Sequence, residues 1–307
     1  MKQKKMLDYK KCVAIVFSIT LICAVVYSVS RYRLKNVNGL NGKPSYSISR
    51  QIQYSFTITN KTANPVKNAE FITYGPVKKT PIQWCEKIKA SHEYNLVTDK
   101  FANQVLIFKF DVIPPHGTKI ITITADLKLS KTPNKVKANN IDLFLVPQKY
   151  VESNHDDIRK TALGFKSERP IQTAEKLFKW VSTHLVYTGY AGNERGALFA
   201  MKNKQGDCTE YMHLYAAMCR ASQIPARCMA GYIVTKNSIL KPGGFHNWAQ
   251  IYLGDTWETI DPQNKVFLKN PSHYIAMQVI AGNQLNPMGD HHRFRINGSG
   301  LKVRMNG

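Results

Sequence analysis

Three residues that could carry covalent chemistry sit where local structure would activate them. Cys208 follows Gly206-Asp207 and opens a run in which Tyr211, Met212, Tyr215, Met218 and Cys219 recur at helical spacing. That spacing predicts a helix with one buried face. Asp207 is its expected N-cap, and Glu210, three residues on, completes a capping-box pattern. A thiol at the first position of a helix meets unpaired N–H groups and the positive end of the helix dipole, which favour a thiolate. The same N–H groups can receive an oxyanion that forms beside the sulfur.

A nucleophilic cysteine needs a base, and the base needs an orienting group. Residues 245–253 alternate in character, Gly254-Asp255 reads as a hairpin turn, and 257–262 runs back. Antiparallel pairing brings the start of one strand against the end of the next, which makes His246 and Asp261 neighbours. A histidine held in one tautomer by a carboxylate is the base such a thiol uses. Asp255 is a competing carboxylate, because Asp261-Pro262 can also simply end a strand. Taken singly, Cys208 reads as an inert buried thiol and His246 as a strand-edge residue beside Trp248. The joint pattern favours catalysis.

Four stretches in this order resemble the transglutaminase-like superfamily core. They are Gly206-Asp207-Cys208-Thr209-Glu210-Tyr211, Ile224-Pro225-Ala226-Arg227 leading to Gly231-Tyr232, His246-Asn247-Trp248-Ala249, and Trp257 with Asp261-Pro262. The resemblance covers roughly residues 171–267. It implies a papain-related α+β fold in which the cysteine opens a helix packed on an antiparallel sheet that carries the other two residues. It also implies roles: Cys208 as nucleophile, His246 as base and Asp261 as its orienter. Gln223 departs from the pattern, where the family often has Gly before Ile-Pro-Ala-Arg. A left-handed helix end there costs Gln about 1 kcal/mol relative to Gly or moves the cap by a residue.

The elements that must position these residues follow from the flanking sequence. Pro170 starts a helix whose apolar face is Ile171, Ala174, Leu177, Phe178, Val181 and Leu185. In the fold resembled, this helix lies beside the cysteine helix, and the loop 189–192 borders the cleft, with Tyr187 or Tyr190 able to approach the sulfur. Residues 202–205 read as an irregular basic loop, 226–234 as a strand and 235–241 as an edge loop near the histidine. The connector 147–169 holds a short helix around 156–163. Asn297-Gly298 suggests a last hairpin. Asp290-His291-His292 lacks other spaced ligands and reads as a solvated turn, not a metal site.

Ahead of this core, residues 46–146 are strand after strand. Ile52, Tyr54, Phe56 and Ile58 alternate with polar residues, as do Leu106, Phe108 and Phe110, and then Ile121, Ile123, Ala125, Leu127 and Leu129. The expected architecture is an immunoglobulin-like β-sandwich, without the Cys…Trp…Cys pattern of a true immunoglobulin domain. The division predicted is a cytoplasmic tail and transmembrane anchor at residues 1–35, the β-sandwich at 45–147 and the catalytic domain at 155–307.

The run 12–29 contains no charge and is about long enough to cross a bilayer. Five lysines against one acid precede it, which places the N-terminus in the cytoplasm and the rest outside, periplasmic or at the cell surface. A cleaved signal peptide is the rival, disfavoured because no small-x-small site precedes Arg31. The chain's net charge is +23; residues 1–35 supply +7, which leaves +16 for the remainder. That excess suits anionic surfaces such as phospholipid headgroups or acidic wall polymers, or is simply a solvated basic surface with no dedicated partner; nucleic acid is not an expected partner of an exported domain. The six cysteines show neither a C-x-x-C pair nor zinc spacing, so no metal or cofactor is expected. Cys219 and Cys228 could pair, but two buried free thiols are the simpler expectation.

The function these readings imply is cleavage or transfer of a peptide or protein amide bond through a thioester on Cys208. Hydrolysis is favoured over transfer to an amine, because water is the more concentrated acceptor. The alternative of another class is a non-catalytic envelope module that keeps the triad for packing.

Overall fold

Strand alternation in the first hundred described residues builds two sheets. The computed structural model describes residues 44–136, 140–282, 286–289 and 293–307. The run 12–29 and Asp290-His291-His292 lie outside them. Among the described residues no helix is long and apolar enough to cross a membrane. Residues 46–307 form one unit by their contacts.

The strands β1 (Ile48–Asn60), β2 (Val66–Gly75), β3 (Gln83–Ala90), β4 (Asn95–Thr98), β5 (Gln104–Ile113) and β6 (Thr118–Leu129) come first. In β1 every second residue from Arg50 to Asn60 is buried, as a strand with one covered face requires. The first sheet runs β1–β6–β3 and the second β2–β5–β4. Ile52, Tyr54, Phe56 and Ile121 from one and Phe71, Leu106 and Phe108 from the other join a single apolar cluster.

The core follows as helices α1 (Asp156–Gly164), α2 (Pro170–His184), α3 (Gly196–Asn203) and α4 (Cys208–Ala221), with the short parallel pair β7 (Val186–Tyr187) and β8 (Gln205–Gly206) between. Residues up to Asn203, expected as loop, thus close a helix, and Lys204 ends it at φ 55°. Then come β9 (Ala226–Ile233), β10 (Ser238–Ile239), β11 (Phe245–Leu253), β12 (Thr256–Asp261), β13 (Val266–Phe267) and β14 (Tyr274–Ile280). The core sheet is ordered β13–β12–β11–β9–β14 and antiparallel throughout. Helix α4 is buried along nearly its whole length, and its Leu214, Tyr215 and Met218 share a cluster with Leu177 and Val181 of α2 and Ala249 and Ile251 of β11.

Two connections tie the core to the first sheets. Inside the segment expected as an edge loop, β10 pairs in parallel with β1, Ile52 opposite Ser238. The turn expected at Asn297-Gly298 is present, but β15 (Phe294–Asn297) and β16 (Leu301–Met305) on either side of it do not pair with each other as the expected hairpin. They join the first sheets instead, β15 on β2 and β16 on β1.

Candidate active site

The start of α4 is fixed by interlocked polar groups. Asp207 Oδ1 accepts from the Thr209 N–H at 2.8 Å, and its own N–H donates to Glu210 Oε2 at 3.0 Å, so the capping box is complete. Asp207 Oδ2 accepts from the Ala191 N–H at 3.0 Å, which ties the 189–192 loop to the helix start. Glu210 is fully buried and meets the Arg195 guanidinium at 2.6 Å. That carboxylate raises the Arg195 pKa. Gly206 is required by this packing: a Cβ there would lie 2.3 Å from the Glu210 Cβ. Cys208 is left half-buried and unbridged at the first helical position.

The histidine and aspartate come from the β11–β12 hairpin. Its turn is Gly254-Asp255, both at positive φ, as a tight two-residue hairpin turn demands. Register sets Ala249 opposite Ile260, so Asp261 falls level with Trp248 and diagonal to His246 on the same face. His246 Nε2 and Asp261 Oδ2 are 2.7 Å apart. Asp255, the competing carboxylate, is in the turn at the far end of the hairpin. Opposite His246 on β9 stands Gly231, where a Cβ would meet the Ile275 carbonyl oxygen at 2.0 Å.

Asp261 is fully buried and well satisfied. Its Oδ2 also accepts from Asn264 Nδ2 at 2.8 Å and from the Tyr274 hydroxyl at 3.0 Å, and Oδ1 accepts from the Asn264 N–H at 3.2 Å. Burial pushes its pKa up, but the bonds from His246 and Asn264 outweigh burial and hold it below the usual carboxylate range. Tyr274 is raised by burial and by the Asp261 charge beside it. For His246 burial lowers the pKa, yet its hydrogen bonds with Asp261 and with the Cys208 side chain raise it to about 9. The ring is therefore an imidazolium at neutral pH, between a carboxylate and the sulfur. With Nε2 turned to Asp261, Nδ1 is the nitrogen left to serve Cys208.

One further bond joins the two halves of the site. Asn247 Nδ2 donates to Thr209 Oγ1 at 2.8 Å, linking the residues that follow the histidine and the cysteine. Thr209 and Asn247 stand in the quoted motifs without a role of their own, and Asn264 and Tyr274 went unmarked in the sequence reading. Asn264, three residues past Asp261, offered the one local signal, since a short polar side chain in the turn after a strand readily bonds back to it. Cys208 opens onto a cavity of about 620 Å³. Tyr187 and Tyr190 line it as expected, with Lys149, Phe245 and Arg293 among the other walls. Cys219 and Cys228 are buried free thiols, each pushed up to about 12 by burial.

Residues 159–262, which hold the thiol at the helix start and most of the sheet beside it, match the model of the transglutaminase-like superfamily, and the fold of this region is mixed α+β. A solved structure of a candidate cysteine protease from Cytophaga hutchinsonii superposes with a TM-score of 0.57 at 20% identity, covering 84% of this chain and 92% of that one. An uncharacterized protein of Mycobacterium leprae is 24% identical over 214 residues, 63% of this chain and 74% of its own length.

Proposed function

We propose that this chain is a thiol enzyme that cleaves an amide bond through a thioester on Cys208. The sulfur attacks the amide carbonyl, and the oxyanion is received by the N–H groups at the start of α4. The C–N bond then breaks as His246 gives its proton to the leaving amine. Water, deprotonated by the now neutral His246, attacks the thioester, releasing a carboxylic acid and restoring the thiol. Asp261 holds the ring in place and stabilises its charged form.

The observation that carries this reading is the His246 ring held by Asp261 at 2.7 Å on one side and hydrogen-bonded to the half-exposed Cys208 side chain on the other. A triad kept only for packing would have no use for a charged ring facing a half-exposed sulfur on an open cavity. The likeness to the candidate cysteine protease agrees in fold. Hydrolysis is preferred to amine transfer because a transferase must exclude water from the thioester, and this cavity is open. We further propose that residues 12–29 anchor the chain, that residues 46–146 with the last two strands form an immunoglobulin-like spacer, and that the site faces the outside of the membrane.

The test is to incubate the full chain, purified in detergent, with a peptide mixture and a biotinylated primary amine, with Cys208→Ser as control. New peptide termini that depend on Cys208 support hydrolysis. Amine incorporation in place of new termini would make it a transferase, and neither product would sink the enzyme reading.

A further inference from the structure

Arg293 is built into the wall of the cavity onto which Cys208 opens. Its backbone is pinned where β15 begins, the Thr73 hydroxyl donating to its carbonyl oxygen at 2.9 Å. One guanidinium nitrogen donates to the Pro242 carbonyl at 3.1 Å, and the group lies 5.0 Å from the centre of the Phe245 ring. Phe245 directly precedes His246, and Pro242, Phe245, Arg293 and Cys208 all line the one cavity. A guanidinium held by a carbonyl and an aromatic ring keeps its remaining N–H donors for another acceptor.

The other charges of the wall leave that cation in place. Lys149 adds a second positive group, its ammonium 4.9 Å from the Tyr150 ring, which stacks on His213 of α4. Of the two lining carboxylates among the described residues, Asp207 is buried with both oxygens bonded to N–H groups of Thr209 and Ala191. Glu194 bears on the buried Cys228, whose pKa its charge helps to raise after burial itself. We infer that Arg293 is a specificity-determining residue, and that the cavity onto which Cys208 opens takes substrates bearing a carboxylate or comparable anionic group. This rests on the thiol-enzyme reading for the bond that is cut, but the anion preference is measurable without any substrate.

The probes are iodoacetate and iodoacetamide, which alkylate a thiolate by displacing iodide and differ in charge. Rates at Cys208 in the full chain are read by mapping its peptide at pH 7 and low salt, with 2-mercaptoethanol as the free-thiol reference. The ratio of iodoacetate to iodoacetamide rates should exceed that of the reference, fall at least about fivefold in Arg293→Gln, and be largely kept in Arg293→Lys. It should also shrink in the parent as salt is raised to about 0.5 M. A ratio unchanged in Arg293→Gln overturns the anion subsite whatever its salt dependence, because the His246 imidazolium alone would favour iodoacetate in a salt-sensitive way. Failure of the other reading looks different: both reagents would be slower at Cys208 than at the reference thiol, while the ratio still fell in Arg293→Gln.

Discussion

The two ends of helix α4 carry the same residue type in opposite settings. At the first turn, Cys208 is half-exposed beside a charged imidazole, with Asp207, Glu210 and Arg195 locked into hydrogen bonds beneath it. At the last turn, Cys219 is fully buried among apolar residues and its thiol is pushed up to about 12. Arg220 beside it is also buried and donates to the Ala226 and Val146 carbonyls, with its pKa lowered by burial. The helix thus spends its polar groups at one end on building a site and at the other on satisfying backbone. Cysteine reactivity follows the surroundings and not the residue.

The largest effect expected from this contrast is in alkylation. Treated with iodoacetamide near pH 7.5, the native protein should be modified at Cys208 at least about a thousandfold faster than at Cys219 or Cys228. Peptide mapping before and after unfolding in guanidinium reads this directly, and similar native rates at all three would break the comparison.

Next in size is the contribution of the imidazole. Replacing His246 with Ala should slow Cys208 alkylation about 10–100-fold near pH 7 and leave Cys219 alone. The His246 pKa is raised from 6.5 to about 9, so its charge is present below that value and lost above it. The parent's advantage over the variant should therefore shrink as pH climbs through about 9. By linkage, the raised value stabilises the fold fully below about 6.5, and that contribution is lost as pH rises through about 9. Parallel rate–pH curves for parent and variant would show that the ring does not act on the sulfur.

The smallest effect concerns the far end of the helix. Gln223 follows the Ser222 cap and adopts φ 62°, the left-handed region that favours glycine. Gln223→Gly should raise stability by about 0.5–1 kcal/mol in urea unfolding, with Cys208 alkylation unchanged. A change in alkylation rate would mean that the two ends are coupled through the helix.

The helix start and the hairpin were legible because their signals are local. Asp207 and Glu210 announce a capping box within four residues, and Gly254-Asp255 sets the register that brings Asp261 to His246. The left-handed end at Gln223 was legible only through the resemblance, which has Gly there, and the structure shows the strained alternative and not a shifted cap. What escaped depends on distant chain. Tyr274 reaches Asp261 from β14, on the other side of β9 and β11 in the sheet. Arg195 finds Glu210 across a loop, and Asn247 finds Thr209 only once strand and helix are packed. Ser238-Ile239 is too short to show a period, so its parallel partner β1 left no trace in the pattern. The turn at Asn297-Gly298 was readable, but not that the strands beside it part to cover the edges of two different sheets.

The last strand bears on how the chain is made. Thr57 and Asn306 share a hydrogen bond across 249 positions, and β16 lies along the edge of β1. A chain emerging from the ribosome can pair β1 with β6 early, yet that edge of β1 stays bare until the final residues appear. Bare edges invite pairing with other chains, and such remote closure is slow. Among the described residues, β16 supplies nothing to the cavity wall. Loss of residues 301–305 would therefore be felt first as aggregation, in a chain whose cavity groups were all present.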